Sequence, residues 1–289
     1  MEELRAIFAA LGTIAPPLTI LGLKDLPYHE RLHEPAEPGA TCEENARIKA
    51  LSYAEQIGRH LGIKGSRDRV ARPIANSPLP LIPRSPDPTV PFLSHDPTVP
   101  FLILADDSGI EIDALKLPDG TPRPGVISSH YSTDGVETGL PHLTREQRDA
   151  ANNARVLREM ENVATEQRAA RFVCCMCLVR GSGLGARVSG SPDADTVASA
   201  FTRNPTPETR DPILFISRGT MEGRIGIPPR IPAGHNGFGY DPLFLVAAAP
   251  FNYTKTGAEL TSAEKNALSH RGAAARAMAE WINATIKGK

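Results

Sequence analysis

The stretch PFLILADDSGIEIDAL, residues 100–115, decides how the chain is built. It opens on an apolar run, Phe101 to Ala105. It then sets two carboxylates side by side, Asp106 and Asp107, followed by Ser108 and Gly109. Apolar strands of α/β sheets place functional groups just past their carboxyl ends. Adjacent strand residues point to opposite faces, so the two carboxylates do different jobs. One faces a cation and water, while the other anchors the loop or reaches the metal from a second side. Carboxylate oxygens are the ligands Mg2+ prefers beside substrate phosphates. Asp-Asp-Ser-Gly is also an ordinary strand-to-turn signal, so the tetrapeptide alone leaves both readings open.

Upstream of this strand, residues 2–11 have the apolar spacing of an amphipathic helix, with Leu4, Ile7, Phe8 and Leu11 on one face. A short strand is expected near Leu18–Leu23. Thr41-Cys42-Glu43-Glu44 reads as a capping box opening a helix to about Leu61. Residues 64–100 are rich in Pro, Arg and Ser and carry DPTVPFL twice, at 87–93 and 96–102. A repeat this short makes no solenoid, and the segment reads as a loop insertion. Downstream, Thr144-x-x-Gln147 caps a helix to about Glu161, and Arg171–Val179 is a strand. Residues 181–212 form a second Pro/Ser/Asp-rich loop. Ile213–Ile225 reads as two strand segments around Gly219. Thr261-x-x-Glu264 opens a long helix through Trp281. Strands and helices alternate, which predicts one α/β domain over 1–289 carrying the two insertions.

Composition narrows the function classes. The 289 residues are 40% hydrophobic and 22% charged, with a net charge of −1. That charge gives no global basic field for a nucleic-acid polymer, so phosphate binding has to come from a local site. No run approaches the roughly 18 apolar residues of a membrane span, and MEELRAIF lacks the features of a secretion signal. The expectation is a soluble cytoplasmic protein. Three of the four cysteines, Cys174, Cys175 and Cys177, sit on one strand and read as buried reduced thiols.

Two further clusters carry chemistry. In GHNGFGYDPLF, residues 234–244, Gly237 and Gly239 bracket Phe238 and let the backbone approach a ligand. Phe238 and Tyr240 offer flat surfaces for a base. In AELTSAEKNALSHRGAA, residues 258–274, Lys265, His270 and Arg271 lie near a helix start. Taken singly, these are a hairpin loop and a set of solvated helix charges.

Together and in this order, ADDSGIEIDAL, GFGYDPLF and AELTSAEKNALSHRGAA resemble the inosine triphosphate pyrophosphatase family. EPGATCEENARIKA (37–50), PGVISSHY (124–131) and RAARFVCCMCLV (168–179) are similar to further family blocks. The resemblance implies an elongated mixed β-sheet with flanking helices, in two lobes around a nucleotide cleft, and a homodimer. It implies Mg2+-dependent hydrolysis of noncanonical purine nucleoside triphosphates to monophosphate and pyrophosphate. On these positions Asp107 is the general base or the carboxylate that orients water. Glu37, Asp106, Asp107 and Glu44 are the metal ligands, and Ser108 contacts the nucleotide. Phe238 stacks on the purine, while Gly239, Tyr240 and Asp241 shape its pocket. Lys265, His270 and Arg271 surround base and sugar, the last two donating to the 6-oxo group. Adenine carries an amino donor there, and donor facing donor leaves buried groups unpaired.

The chain departs from the family pattern in two places. It begins inside the helix that usually follows a first strand and a phosphate-cradling loop with its lysine, which suggests that the native protein extends upstream. His130 stands where bacterial relatives usually carry arginine. Two alternatives accompany the main reading: a nucleotide-binding pseudoenzyme without the phosphate loop, and a Maf-like pyrophosphatase acting on other modified nucleotides.

Overall fold

The computed structural model describes residues 20–61, 101–136, 143–181 and 212–286, together with Arg5 and Phe8. The residues read as insertions, 64–100 and all but the ends of 181–212, lie outside this set. Arg5 and Phe8 are helical, in keeping with the amphipathic reading of the first residues.

The quoted stretch forms strand β1 (Leu102–Ile112), followed by β2 (Arg123–Gly125), β3 (Ala169–Arg180), β4 (Ile213–Ile225) and β5 (Phe244–Val246). They make one sheet in the order β2-β1-β3-β4-β5. Every pairing among the described strands is antiparallel. The helices are α1 (Cys42–His60), α2 (Arg145–Glu159), α3 (Ser262–Leu268) and α4 (His270–Ile286). The α/β class is as expected from the alternation of apolar periods.

β1 lies beside β3 along its whole length, with Asp106 opposite Met176 and Asp107 opposite Cys175. The alternation of side chains sends the two carboxylates to opposite faces. On the Asp107 face, α1 packs its small residues Cys42, Ala46, Ala50 and Ala54 against Val173, Cys175, Cys177 and Val179. Small side chains let the helix approach the sheet closely. On the Asp106 face, α4 packs Ala274, Ala275, Met278, Ala279 and Ile282 against Cys174, Met176 and Leu178. All four cysteines are buried and free. Burial pushes the Cys174 thiol up to about 12 and Cys175 to about 11, which keeps both unreactive.

Four features differ from the sequence reading. Asp106, Asp107 and Gly109 were expected just past the end of the first strand at a tight turn, but β1 continues to Ile112 and pairs all three with β3, so the carboxylates stand mid-strand. Ile20–Gly22 form no strand, and Leu23–Asp25 is a 3-10 turn. Asp25 accepts a hydrogen bond from the Gly22 amide at 2.7 Å, a local bond that competes with sheet pairing. β4 is one continuous strand, with Gly219 paired to Cys174 at its centre. A Cβ at Gly219 would stand 2.1 Å from the His270 carbonyl oxygen and 2.4 Å from the Ala274 nitrogen. That glycine marks where a helix lies on the strand, and no turn occurs there. The long carboxyl-terminal helix breaks at Ser269, whose backbone is extended. The Ser269 hydroxyl accepts from the Gly272 amide at 2.9 Å and opens α4 afresh.

Candidate active site

On the α1 face, the centre is built from four residues. Lys49 Nζ lies 2.8 Å from Glu37 Oε2 and 3.3 Å from Asp107 Oδ1. It also donates to the Asp106 carbonyl at 3.3 Å. Asn45 is buried; its Nδ2 donates to Asp107 Oδ2 at 3.3 Å and its Oδ1 accepts from the Gly39 amide at 2.8 Å. Asn45 therefore ties the loop that carries Glu37 to the strand that carries Asp107. Burial opposes the charge on Lys49, but its bonds to Glu37 and Asp107 prevail and hold its pKa above the ordinary lysine value. It stays cationic across physiological pH. Neither Asn45 nor Lys49 stood out in the sequence. The signal was present: at i and i+4 they are polar residues on the helix side that otherwise presents Ala46 and Ala50 to the sheet.

The four expected metal ligands do not converge. Among the described residues no group of three His, Cys, Asp or Glu side chains could hold a metal ion. Glu44 is exposed, and its carboxylate accepts from the Ala40 amide at 2.7 Å at the start of α1. Asp106 lies across the sheet, where its Oδ2 accepts from Arg271 Nη2 at 2.8 Å and Nε at 3.1 Å. Glu37 and Asp107 are brought together through Lys49. Two carboxylates facing one ammonium leave net negative charge, and Mg2+ is commonly held by one or two carboxylates completed by substrate phosphates. The oxygen donors present fit that ion on those terms.

On the α4 face, the new helix start at Ser269 delivers His270 and Arg271 to the sheet. His270 stacks on Phe172, with ring centroids 5.3 Å apart. Burial, reinforced by the Arg271 and Lys265 charges, lowers its pKa to about 4. The imidazole is thus neutral at pH 7, with one N–H donor and one acceptor nitrogen. Ser108 sits on this face, opposite Cys174 in the register.

The base loop follows. Phe238 is 56% exposed. Its amide donates to Asp241 Oδ2 at 2.8 Å, and the same oxygen pairs with Lys265. The Lys265 ammonium lies 5.0 Å from the Phe238 ring centroid. Asp241 is buried, so its charge is met inside the protein by that lysine and that amide. Tyr240 is also buried, and its hydroxyl donates to the Ser128 carbonyl at 2.6 Å. It supports the loop from behind and offers no open stacking face. The Gly239 peptide is engaged by α2 on both sides, by Asp149 and Asn153. His130 lies on a neighbouring turn, with Nδ1 2.9 Å from the Ser129 hydroxyl and Nε2 3.4 Å from Arg148.

Fold and site together define an α/β protein with a carboxylate–lysine centre on one face of a central strand. The other face carries an arginine–carboxylate pair, and an exposed aromatic ring stands on the 234–244 loop. A family model described as the Ham1 family matches residues 93–281. Over 94% of its length the chain is 32% identical to a protein from Nitratidesulfovibrio vulgaris named dITP/XTP pyrophosphatase, covering 87% of that protein. With a protein of the same name from an Exiguobacterium species it is 37% identical, covering 94% of that protein. Its fold is similar to the structure of a HAM1 protein from Coxiella burnetii, with TM-score 0.56, 26% identity and coverage of 97% of this chain and 93% of that one. The chain belongs to the Ham1 family.

Proposed function

We propose that the chain hydrolyses noncanonical purine nucleoside triphosphates, ITP, dITP and XTP, to the monophosphate and pyrophosphate. The observation that carries this reading is the gathering of Glu37, Asn45, Lys49 and Asp107 on one face of β1. The adjacent residue, Asp106, pairs with Arg271 on the other face. Release of pyrophosphate needs a held water and neutralised phosphates, and base selection needs a flat ring beside fixed donors. The names of the relatives, dITP/XTP pyrophosphatase, point the same way.

In this reading Asp107 takes the proton of the attacking water as it approaches the α-phosphorus. Asn45 and Lys49 hold that carboxylate in place. Glu37 and Asp107 would hold Mg2+, which would neutralise phosphate charge and polarise phosphorus. The Lys49 ammonium stabilises negative charge developing on the phosphate oxygens. Ser108 contacts the nucleotide, and Phe238 stacks on the purine. Neutral His270 and Asp106-oriented Arg271 present donors to the 6-oxo group, where an adenine amino group would be left unpaired. From the pool-cleaning role we infer a cytoplasmic location. No helix among the described residues is long and apolar enough to cross a membrane. We also infer a homodimer, which sedimentation of the intact chain checks.

Hydrolysis of dITP in water labelled with heavy oxygen, with Mg2+ and then with chelator, tests the chemistry. The label is expected in the monophosphate alone, and turnover is expected to stop with chelator. Label in the pyrophosphate would mean attack at a different phosphorus.

A further inference from the structure

Three residues of α2 at helical spacing, Arg145, Asp149 and Asn153, all touch the two-residue segment Phe238-Gly239. Asp149 Oδ2 accepts from the Gly239 amide at 2.8 Å. Asn153 Nδ2 donates to the Gly239 carbonyl at 3.0 Å. The Arg145 guanidinium carbon lies 4.2 Å from the Phe238 ring centroid. Spaced at i, i+4 and i+8, these residues form one stripe along the helix. Gly239 has φ 62, a left-handed backbone that non-glycine residues seldom adopt, and both of its peptide groups are engaged by that stripe.

α2 is itself firmly seated. Its adjacent face carries buried Asn152, which accepts from the Ser132 amide at 2.7 Å and donates to the Ser128 and Ser129 carbonyls. Val156 of the same helix is fully buried in the main core. The helix is thus a rigid mount, and the exposed Phe238 ring is held by two bonds to the next peptide.

We propose that this stripe of α2 is the outer wall of the base site: Asp149 and Asn153 are positioning residues that fix the Phe238 ring, and Arg145 supplies a second flat face against which the purine is sandwiched. The guanidinium is planar and stacks on aromatic surfaces, and Arg145 is the first residue of α2, one turn before Asp149. In the resting arrangement it covers the ring, and a purine inserts between the two. This rests on the base-site reading above.

Binding of IMP to the intact chain, measured by calorimetry, tests the proposal without depending on turnover. Phe238→Ala serves as the control for the base site. Asp149→Ala and Asn153→Ala are each expected to weaken IMP binding about tenfold, the worth of one well-made hydrogen bond. Asp149→Asn keeps an acceptor oxygen and is expected to recover binding to within about twofold of the parent. Arg145→Ala is expected to weaken binding about threefold, and Arg145→Lys, which keeps charge but loses the plane, to give no rescue. Thermal midpoints of all variants separate loss of binding from loss of fold. If Phe238→Ala weakens IMP binding while the α2 variants fold and bind as the parent does, the proposal is overturned alone. Tighter binding by Arg145→Ala would mean that the arginine merely blocks the ring, and would also overturn it. No binding of IMP by the parent overturns the base-site reading and this proposal with it.

Discussion

Two neighbouring side chains, Asp106 and Asp107, divide the chemistry between two faces of one strand. Their separation was legible from the strand alternation alone, whereas Phe238 and Tyr240 read alike as flat surfaces and only burial sets the exposed Phe238 apart from Tyr240. Lys49 and Asn45 were not legible, because a lysine and an asparagine within a helix have many ordinary explanations until the opposing strand is known. Asp107→Asn keeps Asn45 and Lys49 within reach of an oxygen but cannot accept the proton of water. It is expected to lower pyrophosphate release roughly a hundred- to ten-thousandfold with little change in thermal midpoint, which steady-state assay and calorimetric melting check. His270 makes a pH prediction. Its pKa is depressed from 6.5 to about 4 in the folded chain, so the unfolded chain binds more protons between those values. Its contribution is therefore present above pH 6.5 and is lost as pH falls toward 4, on the order of 3 kcal/mol in all. Parent and His270→Gln melting curves across that window are expected to converge in slope at high pH and diverge below. Parallel curves throughout would contradict the assignment.

At the scale of elements, helix starts were the most readable features. Thr144 and Gln147 form the reciprocal capping box on α2, and Thr261 and Glu264 form another on α3. The break at Ser269 was hidden because the apolar period continues across it. The serine hydroxyl bonded to Gly272 makes the break, and the break turns His270 and Arg271 onto the sheet. Gly219 was misread for a related reason: a glycine within a strand signals a turn, a bulge or a close approach, and only the packing of α4 selects among them. Gly219→Ala is expected to lift the start of α4 from β4, costing about 1–3 kcal/mol of stability and loosening the Arg271–Asp106 pair. A melting midpoint and a dITP turnover both unchanged from the parent would show that the contact yields freely.

At the scale of the whole molecule, the order of motifs along the chain located the α/β class and the family before any geometry was known. Strand pairing was less legible, since register depends on contacts far apart in sequence. We retain one domain as the proposal. The described ends of the second insertion support it: the Arg180 amide donates to the Pro212 carbonyl at 2.8 Å, so the intervening residues leave and return at adjacent points. Lengthening such a loop adds little closure entropy. The cysteine strand, read as inert thiols, lies at the centre of the sheet between the two functional faces. What joins those faces into one enzyme is the claim that a single nucleotide spans them, phosphates at Lys49 and Asp107, base at Phe238 and Arg271. The most direct test is pyrophosphate release by the purified chain with Mg2+, comparing dITP and XTP with dATP and dGTP. Release from dITP and XTP well above that from dATP is expected, with dGTP, which shares the 6-oxo group, separating that contact from recognition at position 2; release from dATP equal to that from dITP and XTP, or none from any, would contradict it.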